Sequence, residues 1–477
     1  MNLIEGNTES ADKKSEMKIL FVSQYADHDL VGGNNNVYRQ ANALKHTLGV
    51  DVEILTWPEN DTWSGPFPSG EDSARFAHME WDYQGLNYHI VKLSIKLLKR
   101  TLGENDWQQA VDIGCELLRK INPSIVHLQH WRGLWWILES ANRLSIPTVY
   151  TPHDWGMGCL RTILVKGEGG MCDGVVEVEK CAECIWKGRN LLGKVNEFIV
   201  SSVTGEHLIE NMAHFSVIDR WLSKHDAVRI GLRKRITLNY QRAKSVITNL
   251  SAIIVPNSFA KRFYLQFGIS ENRIYVEPWY YDLTEPVNSR QIDNAQIVFG
   301  NIGRISPEKS VHKIFEALSN DSLPYPIHLV IAGEIIGEYA EQLYSKFKHK
   351  VGKHSVEWMG WVPHKTVHKF YEKVDVVIIS TECIENGPLT LIEAFAFKRP
   401  VIIPDIPSAR DFVREGQTGY FTTFASTESL IDVIRMVSLN PNNLHGMKDN
   451  MPTIKSSVAY ATVIRDIYKS IERERSK

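Results

Sequence analysis

The sequence lacks long apolar runs and has few cysteines for its length. No uninterrupted apolar stretch approaches the roughly 20 residues that a membrane-spanning helix needs, so we expect none. The chain has 6 cysteines in 477 residues, and its polar start carries no apolar signal core, which argues against a disulfide-rich secreted protein. The formal net charge of −2 gives no overall basicity for nucleic-acid binding. We expect a cytoplasmic globular protein with a disordered tail over residues 1–16.

The chain is long enough for two domains. Its 477 residues exceed what one hydrophobic core ordinarily organises. Short buried strands alternate with helical segments, a pattern typical of parallel α/β sheets. We predict one domain over residues 17–285, a second over residues 286–455, and an irregular linker over Trp279–Ala295. Residues 456–477 are predicted to form a helix with an apolar stripe that must dock on another surface, and the first domain is a candidate. The stripe consists of Tyr460, Val463, Ile464, Ile467, Tyr468 and Ile471.

Two loops of the first domain follow buried strands and carry candidate ligand groups. Gly32 and Gly33 separate a strand from a helix, a position that suits a phosphate or a sugar, although an isolated glycine pair is often a plain turn. His153 follows the strand TVYT at the edge where parallel sheets bind ligands, and His130 is a weaker candidate of the same kind. The alternative is a histidine that is satisfied by local hydrogen bonds. Residues 58–90, rich in proline, glycine and serine, are predicted to be a surface loop.

Four of the six cysteines fall in an insert predicted over residues 156–190. Their spacing is C-x12-C-x8-C-x2-C, and the CxxC end can place two thiolates on one metal. The other spacings fit no standard zinc finger, so a structural zinc and free thiols or a labile disulfide remain equal alternatives. A catalytic zinc is not expected, because four thiolates leave no open position. The candidate ligands are Cys159, Cys172, Cys181 and Cys184.

Residues 190–247 are helical in pattern and carry scattered bases. Together with Leu93–Arg100 they could form a basic, partly apolar surface that touches a membrane. For either segment alone, a solvated helix face is the alternative interpretation. The bases of the longer segment are Lys224, Arg229, Arg233, Lys234, Arg235, Arg242 and Lys244.

The strongest ligand pattern of the chain lies in the second domain, between Val374 and Ile403. A buried strand leads into a polar loop, and Pro388 suits the start of the helix that follows. Glu385 and Glu393 bracket this helix start. A helix N-terminus can bind phosphate or a polyol, and carboxylates there would hold hydroxyls. A ligand with both hydroxyls and phosphate is a nucleotide-sugar.

Two cations stand after the first strand of the second domain. Arg304 and Lys309, in the stretch GRISPEK, flank a loop–helix junction. Two cations near a helix N-terminus would suit a diphosphate. The alternative is a pair of ordinary surface bases.

The ordered motifs resemble the retaining nucleotide-sugar glycosyltransferases of family 4, which have the GT-B fold. The motifs are GGNNN, TPHDW, VPNSFAKR, GRISPEK, GWVPH and ENGPLTLIEAFAFKRPVI, and the likeness runs from Met17 to about Phe421. It implies two facing Rossmann-like domains with an interdomain cleft and a C-terminal helix that crosses back. It also implies transfer of a sugar from a nucleotide-diphosphate sugar to a saccharide or lipid-linked hydroxyl acceptor. No cofactor would be required for catalysis.

The resemblance assigns roles to the candidate residues. Glu393 would hold the ribose hydroxyls, and Glu385 the hydroxyls of the donor sugar. Arg304 and Lys309 would stabilise the diphosphate leaving group, and His153 would contact the sugar near the reacting carbon. Further donor contacts would come from Gly32, Gly33, Asn386, Gly387, Pro388 and Leu389.

Two other functions fit the same fold. A sugar-nucleotide epimerase would need no acceptor, and a non-catalytic protein would only bind the nucleotide-sugar. The motif order argues against the first, and the retained charged residues argue against the second. The family's common E-G-F-G is replaced by Glu385-Asn386-Gly387-Pro388, which leaves the donor sugar open. The resemblance indicates cell-surface polysaccharide or glycolipid assembly, either in the cytoplasm or at the inner face of the membrane.

Overall fold

The computed structural model describes seven stretches of the chain. They are residues 17–24, 35–57, 76–93, 104–131, 134–188, 226–283 and 297–475. Four predictions lie wholly or partly outside them: the tail over residues 1–16, the Gly32–Gly33 loop, the bases after Leu93, and the helical segment as far as residue 225. Among the helices of these stretches, none combines the length and the apolar character that crossing a membrane requires.

The first domain is built on an eight-stranded sheet. Its order is β3-β4-β2-β1-β5-β6-β7-β8, and all neighbours are parallel except the β3–β4 hairpin. The central strands are buried on both faces, as their continuous apolar sequences predict. The strands are β1 (Lys18–Val22), β2 (Asp51–Thr56), β3 (Phe76–Tyr83), β4 (Leu86–Leu93), β5 (Ile125–Leu128), β6 (Thr148–Tyr150), β7 (Ala252–Val255) and β8 (Ile274–Val276).

Helices connect these strands and cover the sheet. The first of them continues into a π-helical turn over Ala43–Thr47. The helices are α1 (Asn35–Asn42), α2 (Glu104–Ile121), α3 (Ile137–Arg143), α4 (Val178–Lys187), α5 (Asp226–Thr248) and α6 (Ser258–Leu265).

The second domain repeats the architecture around a seven-stranded sheet of order β11-β12-β10-β9-β13-β14-β15. Only β11 and β12 pair antiparallel. The strands are β9 (Val298–Ile302), β10 (His328–Ala332), β11 (Lys350–Val351), β12 (His354–Gly360), β13 (Val376–Ile378), β14 (Val401–Pro404) and β15 (Gly419–Thr422). The helices are α7 (Val311–Leu318), α8 (Glu338–Phe347), α9 (His368–Lys373), α10 (Leu389–Ala396), α11 (Thr427–Leu439) and α12 (Asn443–Asp449). The predicted α/β fold with two sheets is confirmed.

The last helix, α13 (Ser457–Arg475), leaves the second domain and packs on the first. Its buried residues Tyr460, Ile464 and Tyr468 join one apolar cluster with Ile19 of β1. Each buried aliphatic side chain contributes roughly 1.5–3 kcal/mol of transfer free energy. The Tyr468 hydroxyl also lies 2.5 Å from Nδ1 of His127, beneath the first sheet. The helix therefore ties the two halves of the molecule together.

Two segments that the sequence predicts as irregular differ from that prediction where the structure describes them, over residues 76–90 and 279–283. The interval 58–90, predicted as a surface loop, contains most of the β3–β4 hairpin, so that prediction is wrong there. The hairpin turns at Gln84 and Gly85, which both have positive φ (53° and 79°), as a two-residue hairpin turn demands. Trp279 and Tyr280, at the start of the predicted linker, are only 5% and 2% exposed.

Candidate functional site

The carboxyl ends of β9 and β13 bring a lysine and a glutamate together. Lys309 ends the short 3-10 turn after β9, and Glu385 lies in the loop after β13. Because β9 and β13 are adjacent parallel strands, their loops meet at one sheet edge. Nζ of Lys309 lies 2.8 Å from Oε2 of Glu385. The Ser380 hydroxyl donates to the carbonyl of Lys309 at 2.8 Å, so the two loops are held together before any ligand binds.

This ion pair leaves hydrogen-bond acceptors free. Burial acts to lower the pKa of Lys309, but the Glu385 carboxylate raises that pKa above its usual value, so the lysine is a cation at neutral pH. The second carboxylate oxygen of Glu385, Oε1, and the side-chain oxygen of Asn386 are both buried and have no hydrogen-bond partner among the described residues. Such acceptors are costly unless a ligand or water donates to them. They therefore mark a position for hydroxyl groups.

Arg304 stands beside the pair without joining it. Its guanidinium lies 3.5 Å from Glu308, and its side chain is 77% exposed. Its positive charge opposes protonation of Lys309, so the two cations lie close enough to repel each other. An anion between them would relieve this repulsion.

Glu393 lies in α10 at the boundary with the first domain. Its carboxylate accepts a hydrogen bond of 2.9 Å from the Tyr371 hydroxyl. The buried Tyr281 hydroxyl also faces it, without the geometry of a hydrogen bond. Burial raises the pKa of Glu393, and the tyrosines and the charge of Arg39 oppose that rise. Since Arg39 belongs to α1, both domains shape the environment of this carboxylate.

His153 lies in a stack of three rings at the end of β6. Its ring centroid is 4.4 Å from that of His130 and 5.0 Å from that of Trp279, with nearly parallel planes. Its Nε2 lies 3.0 Å from the side-chain oxygen of Gln129 and donates to it. Burial lowers the pKa of His153 to about 4, so the ring is neutral at pH 7. The sequence did not predict Trp279 here, because that residue falls in the predicted linker.

The loop that carries Glu385 is fastened to the first domain. Nδ2 of Asn386 donates to the carbonyl of Pro152 at 2.6 Å, and the Asn386 carbonyl accepts from Asn257 at 2.8 Å. The next residue, Gly387, packs against Trp279, and a Cβ atom on Gly387 would lie 2.3 Å from the indole nitrogen of Trp279. The Asn-Gly-Pro variant is thus an interdomain contact that holds the loop of Glu385 against Pro152 and Trp279 of the first domain.

The remaining predicted donor contacts stand at the start of α10. Pro388 is the N-cap residue, with extended backbone angles, and Leu389 is the first helical residue. The helix N-terminus, with its first backbone N–H groups, therefore begins three residues after Asn386. Gly32 and Gly33 lie outside the described residues.

The four-cysteine insert adjoins the donor loop but does not gather its thiols. All four cysteines are described, and no three of their sulfurs lie within 4.8 Å of one another. They line a cavity of about 270 Å³. Burial, helped by the neighbouring thiols, raises the pKa of Cys181 to about 11. The Ile163 carbonyl accepts from the Ile384 N–H at 3.0 Å, which joins the insert to the donor loop. The structural zinc stays a prediction.

The bases predicted to form a membrane surface are not all directed outward. Arg242 is only 8% exposed and lies over the ring of Trp107, 4.7 Å from its centroid. Arg233 pairs with Glu179. Lys224 and the Arg229 side chain lie outside the described residues, and membrane contact stays a prediction.

Fold and site together define a class. Two α/β sheets present the carboxyl ends of their strands to a shared interface that carries a cation, two carboxylates and a neutral histidine. Residues 31–176 match the model of the glycosyl transferase 4-like domain, and residues 284–453 match that of glycosyl transferases group 1. The chain belongs to the GT-B glycosyltransferases of family 4 type.

Individual relatives agree with this family. The lipopolysaccharide 1,2-N-acetylglucosaminetransferase of Salmonella typhimurium is 28% identical over 204 residues, which are 39% of this chain and 52% of that protein. The chain spans about half the length of the curated relatives it matches.

Solved structures show the same fold. Sucrose-phosphate synthase from Thermosynechococcus elongatus has a TM-score of 0.60 at 14% identity, covering 96% of this chain and 100% of that one. Anabaena HepE in complex with UDP and glucose has a TM-score of 0.54 at 13% identity, covering 96% and 99%. The predicted GT-B fold is confirmed.

Proposed function

We propose that this protein is a retaining glycosyltransferase that moves a hexose from a nucleotide-diphosphate sugar to a hydroxyl acceptor. The observation that carries the proposal is the Lys309–Glu385 pair with the unpaired oxygens of Glu385 and Asn386 beside it. It offers a cation for a diphosphate and acceptors for sugar hydroxyls in one loop cluster. The shared fold with HepE, solved with UDP and glucose, supports this donor class.

Donor binding would exchange the partners of the ion pair. The diphosphate takes Lys309, and the released Glu385 carboxylate accepts hydroxyls of the donor sugar. Glu393 binds the ribose hydroxyls at the start of α10. Each charged hydrogen bond contributes roughly 1.5–3 kcal/mol. The broken ion pair is thereby replaced by contacts of similar strength.

The chemical step follows from charge. Breaking the anomeric C–O bond produces an oxocarbenium-like sugar and a diphosphate leaving group. Lys309 and Arg304 stabilise the developing negative charge, an effect worth several kcal/mol in a closed site. His153 is neutral at pH 7, so it contacts the sugar without opposing its positive charge. A leaving phosphate oxygen takes the acceptor proton as the new bond forms on the same face, which retains the anomeric configuration.

The acceptor would bind in the first domain, as a saccharide or a lipid-linked saccharide. The likeness to a lipopolysaccharide N-acetylglucosaminetransferase supports a place in cell-surface polysaccharide or glycolipid assembly. The donor would lie on the second domain, where the carboxylates and cations of the site are concentrated.

The test measures nucleotide release from a panel of nucleotide-sugars, with and without saccharide acceptors. Glu385→Ala and Lys309→Ala should each abolish acceptor-dependent release with little change in melting temperature. Lys373→Ala is the matched control, because it removes another lysine–glutamate pair of the same domain, 2.6 Å from Glu357, and should keep full activity. An isomerised donor without release would indicate an epimerase, and binding without turnover a sensor. Either result contradicts the proposal.

A further inference from the structure

A second cluster of metal-binding side chains lies on the edge hairpin of the first sheet. We propose that His78, Glu80 and His89 bind a divalent transition metal, with Zn²⁺ as the best match. Their ligand atoms all lie within 4.8 Å of one another. This inference does not rest on the proposed glycosyl transfer.

The register of the hairpin brings the three side chains to one face. Glu80 lies directly opposite His89 in the β3–β4 ladder. His78 precedes Glu80 by two residues, so it projects from the same face. Nε2 of His78 lies 3.2 Å from Nδ1 of His89. Two nitrogens on a tetrahedral zinc, each about 2.0–2.1 Å from the metal, lie about 3.3–3.4 Å apart, so the spacing is already suitable.

A carboxylate behind the cluster orients one ligand. Nε2 of His89 donates to Glu53 at 2.8 Å, and Lys18 lies 3.2 Å from the same carboxylate. Glu53 therefore lies between two donors, Lys18 and His89. The bond places the proton of His89 on Nε2 and leaves its Nδ1 lone pair toward His78. Metal-binding histidines use this carboxylate pairing to fix tautomer and orientation.

A lysine contacts two of the three side chains of the cluster. Nζ of Lys120 lies 3.0 Å from Nδ1 of His78 and 3.4 Å from Glu80. Its side chain is 60% exposed, so it can rotate into solvent when a doubly charged ion arrives. Nδ1 of His78 can then take the ring proton, which leaves Nε2 as a ligand.

The chemical type of the three ligand groups determines which metal suits the cluster. Two imidazoles and one carboxylate suit Zn²⁺ or its neighbours rather than Mg²⁺ or Ca²⁺, which prefer oxygen ligands. Glu80 is half exposed, so water can complete the coordination. An ion bound here would link β3 directly to β4, and would link both strands to β2 through Glu53. It would therefore stabilise the edge of the sheet.

The test titrates Co²⁺ alone into full-length protein stripped with chelator, followed by visible absorption. We expect binding at His78 and His89 without a thiolate charge-transfer band, which separates it from binding at the cysteine insert. The double variant His78→Ala/His89→Ala should lose one equivalent, and His445→Ala, which removes an exposed histidine, should lose none.

Two further variants sharpen the test. Glu53→Gln should weaken binding roughly 10–100-fold, as is typical for partners of metal-binding histidines. Lys120→Ala should tighten it about fivefold or more, because a competing positive charge is removed. Circular dichroism of the metal-free variants checks that they fold. Unchanged Co²⁺ stoichiometry and affinity in the folded double variant would overturn the proposal.

Discussion

Replacing Gly387 by alanine tests how closely the donor loop is packed against the first domain. A Cβ at this position would lie 2.3 Å from Nε1 and 2.7 Å from Cδ1 of Trp279, and 3.1 Å from Cβ of Pro256. Trp279 is 5% exposed and stacks on His153, so its ring has no free space to enter. Either the ring or the loop that carries Glu385 must move.

The size of the effect follows from the packing. Inserting a methyl group into a filled interior typically costs about 1–3 kcal/mol. For a domain of this size, a change of 1 kcal/mol shifts the melting temperature by roughly 2–4 °C. The expected fall is therefore about 2–12 °C. Because the loop also holds the proposed sugar-binding oxygens of Glu385 and Asn386, donor affinity should fall as well.

The assay combines thermal unfolding with nucleotide release. Gly446→Ala is the matched control, since that glycine lies in α12 and a Cβ there meets nothing within 4 Å. It should stabilise the protein by about 0.5–1 kcal/mol and leave activity unchanged. A Gly387→Ala protein with the melting temperature and activity of the parent would refute the packing of this loop against Trp279.

Two other predictions address the interior and the insert. The pKa of His127 is lowered from 6.5 to about 3, first by burial and then by His153, so folding excludes its proton and stability is lost as pH falls from 6.5 toward 3. When the pH is lowered from 7 to 5, the free energy of unfolding of His127→Gln should therefore fall by about 2 kcal/mol less than that of the parent. Urea unfolding at both pH values measures this difference, and equal falls would contradict the assignment. The His78→Ala/His89→Ala variant, purified under reducing conditions, should contain about one zinc in the cysteine insert, and elemental analysis that finds none in this stable variant would reject that site.

The meeting of the lysine and the glutamate could be anticipated from the sequence. Buried β-branched runs predict parallel strands, and the loops after adjacent strands gather at one edge. By resemblance, the motif order then places Lys309 and Glu385 on one donor, at its diphosphate and its sugar, and the structure puts the two side chains 2.8 Å apart. The sequence does not predict that Arg304 contacts Glu308 instead, because that choice depends on the local path of the loop.

The contacts between domains could not be anticipated. Trp279 follows the last strand of the first domain, in a stretch without periodicity, and only tertiary packing places it on His153. Asn386 is visible in the sequence as a departure from a pattern, but its bond to Pro152 joins residues 234 positions apart. The hairpin β3–β4 was missed because proline and glycine dominate the residues before it. Its turn, Gln84–Gly85, also lacks the usual Asn-Gly signal.

Direct binding of nucleoside diphosphates tests the central claim, that the strand ends of the second domain hold a nucleotide-diphosphate sugar. Calorimetric titration of UDP, ADP and GDP would compare the parent with Lys309→Ala and Lys373→Ala. At least one of these nucleoside diphosphates should bind the parent and Lys373→Ala with equal affinity. The same nucleotide should bind Lys309→Ala roughly 10–100-fold more weakly, which is the loss expected for one charged hydrogen bond. Binding of none to the parent, or undiminished binding to Lys309→Ala, would contradict the account.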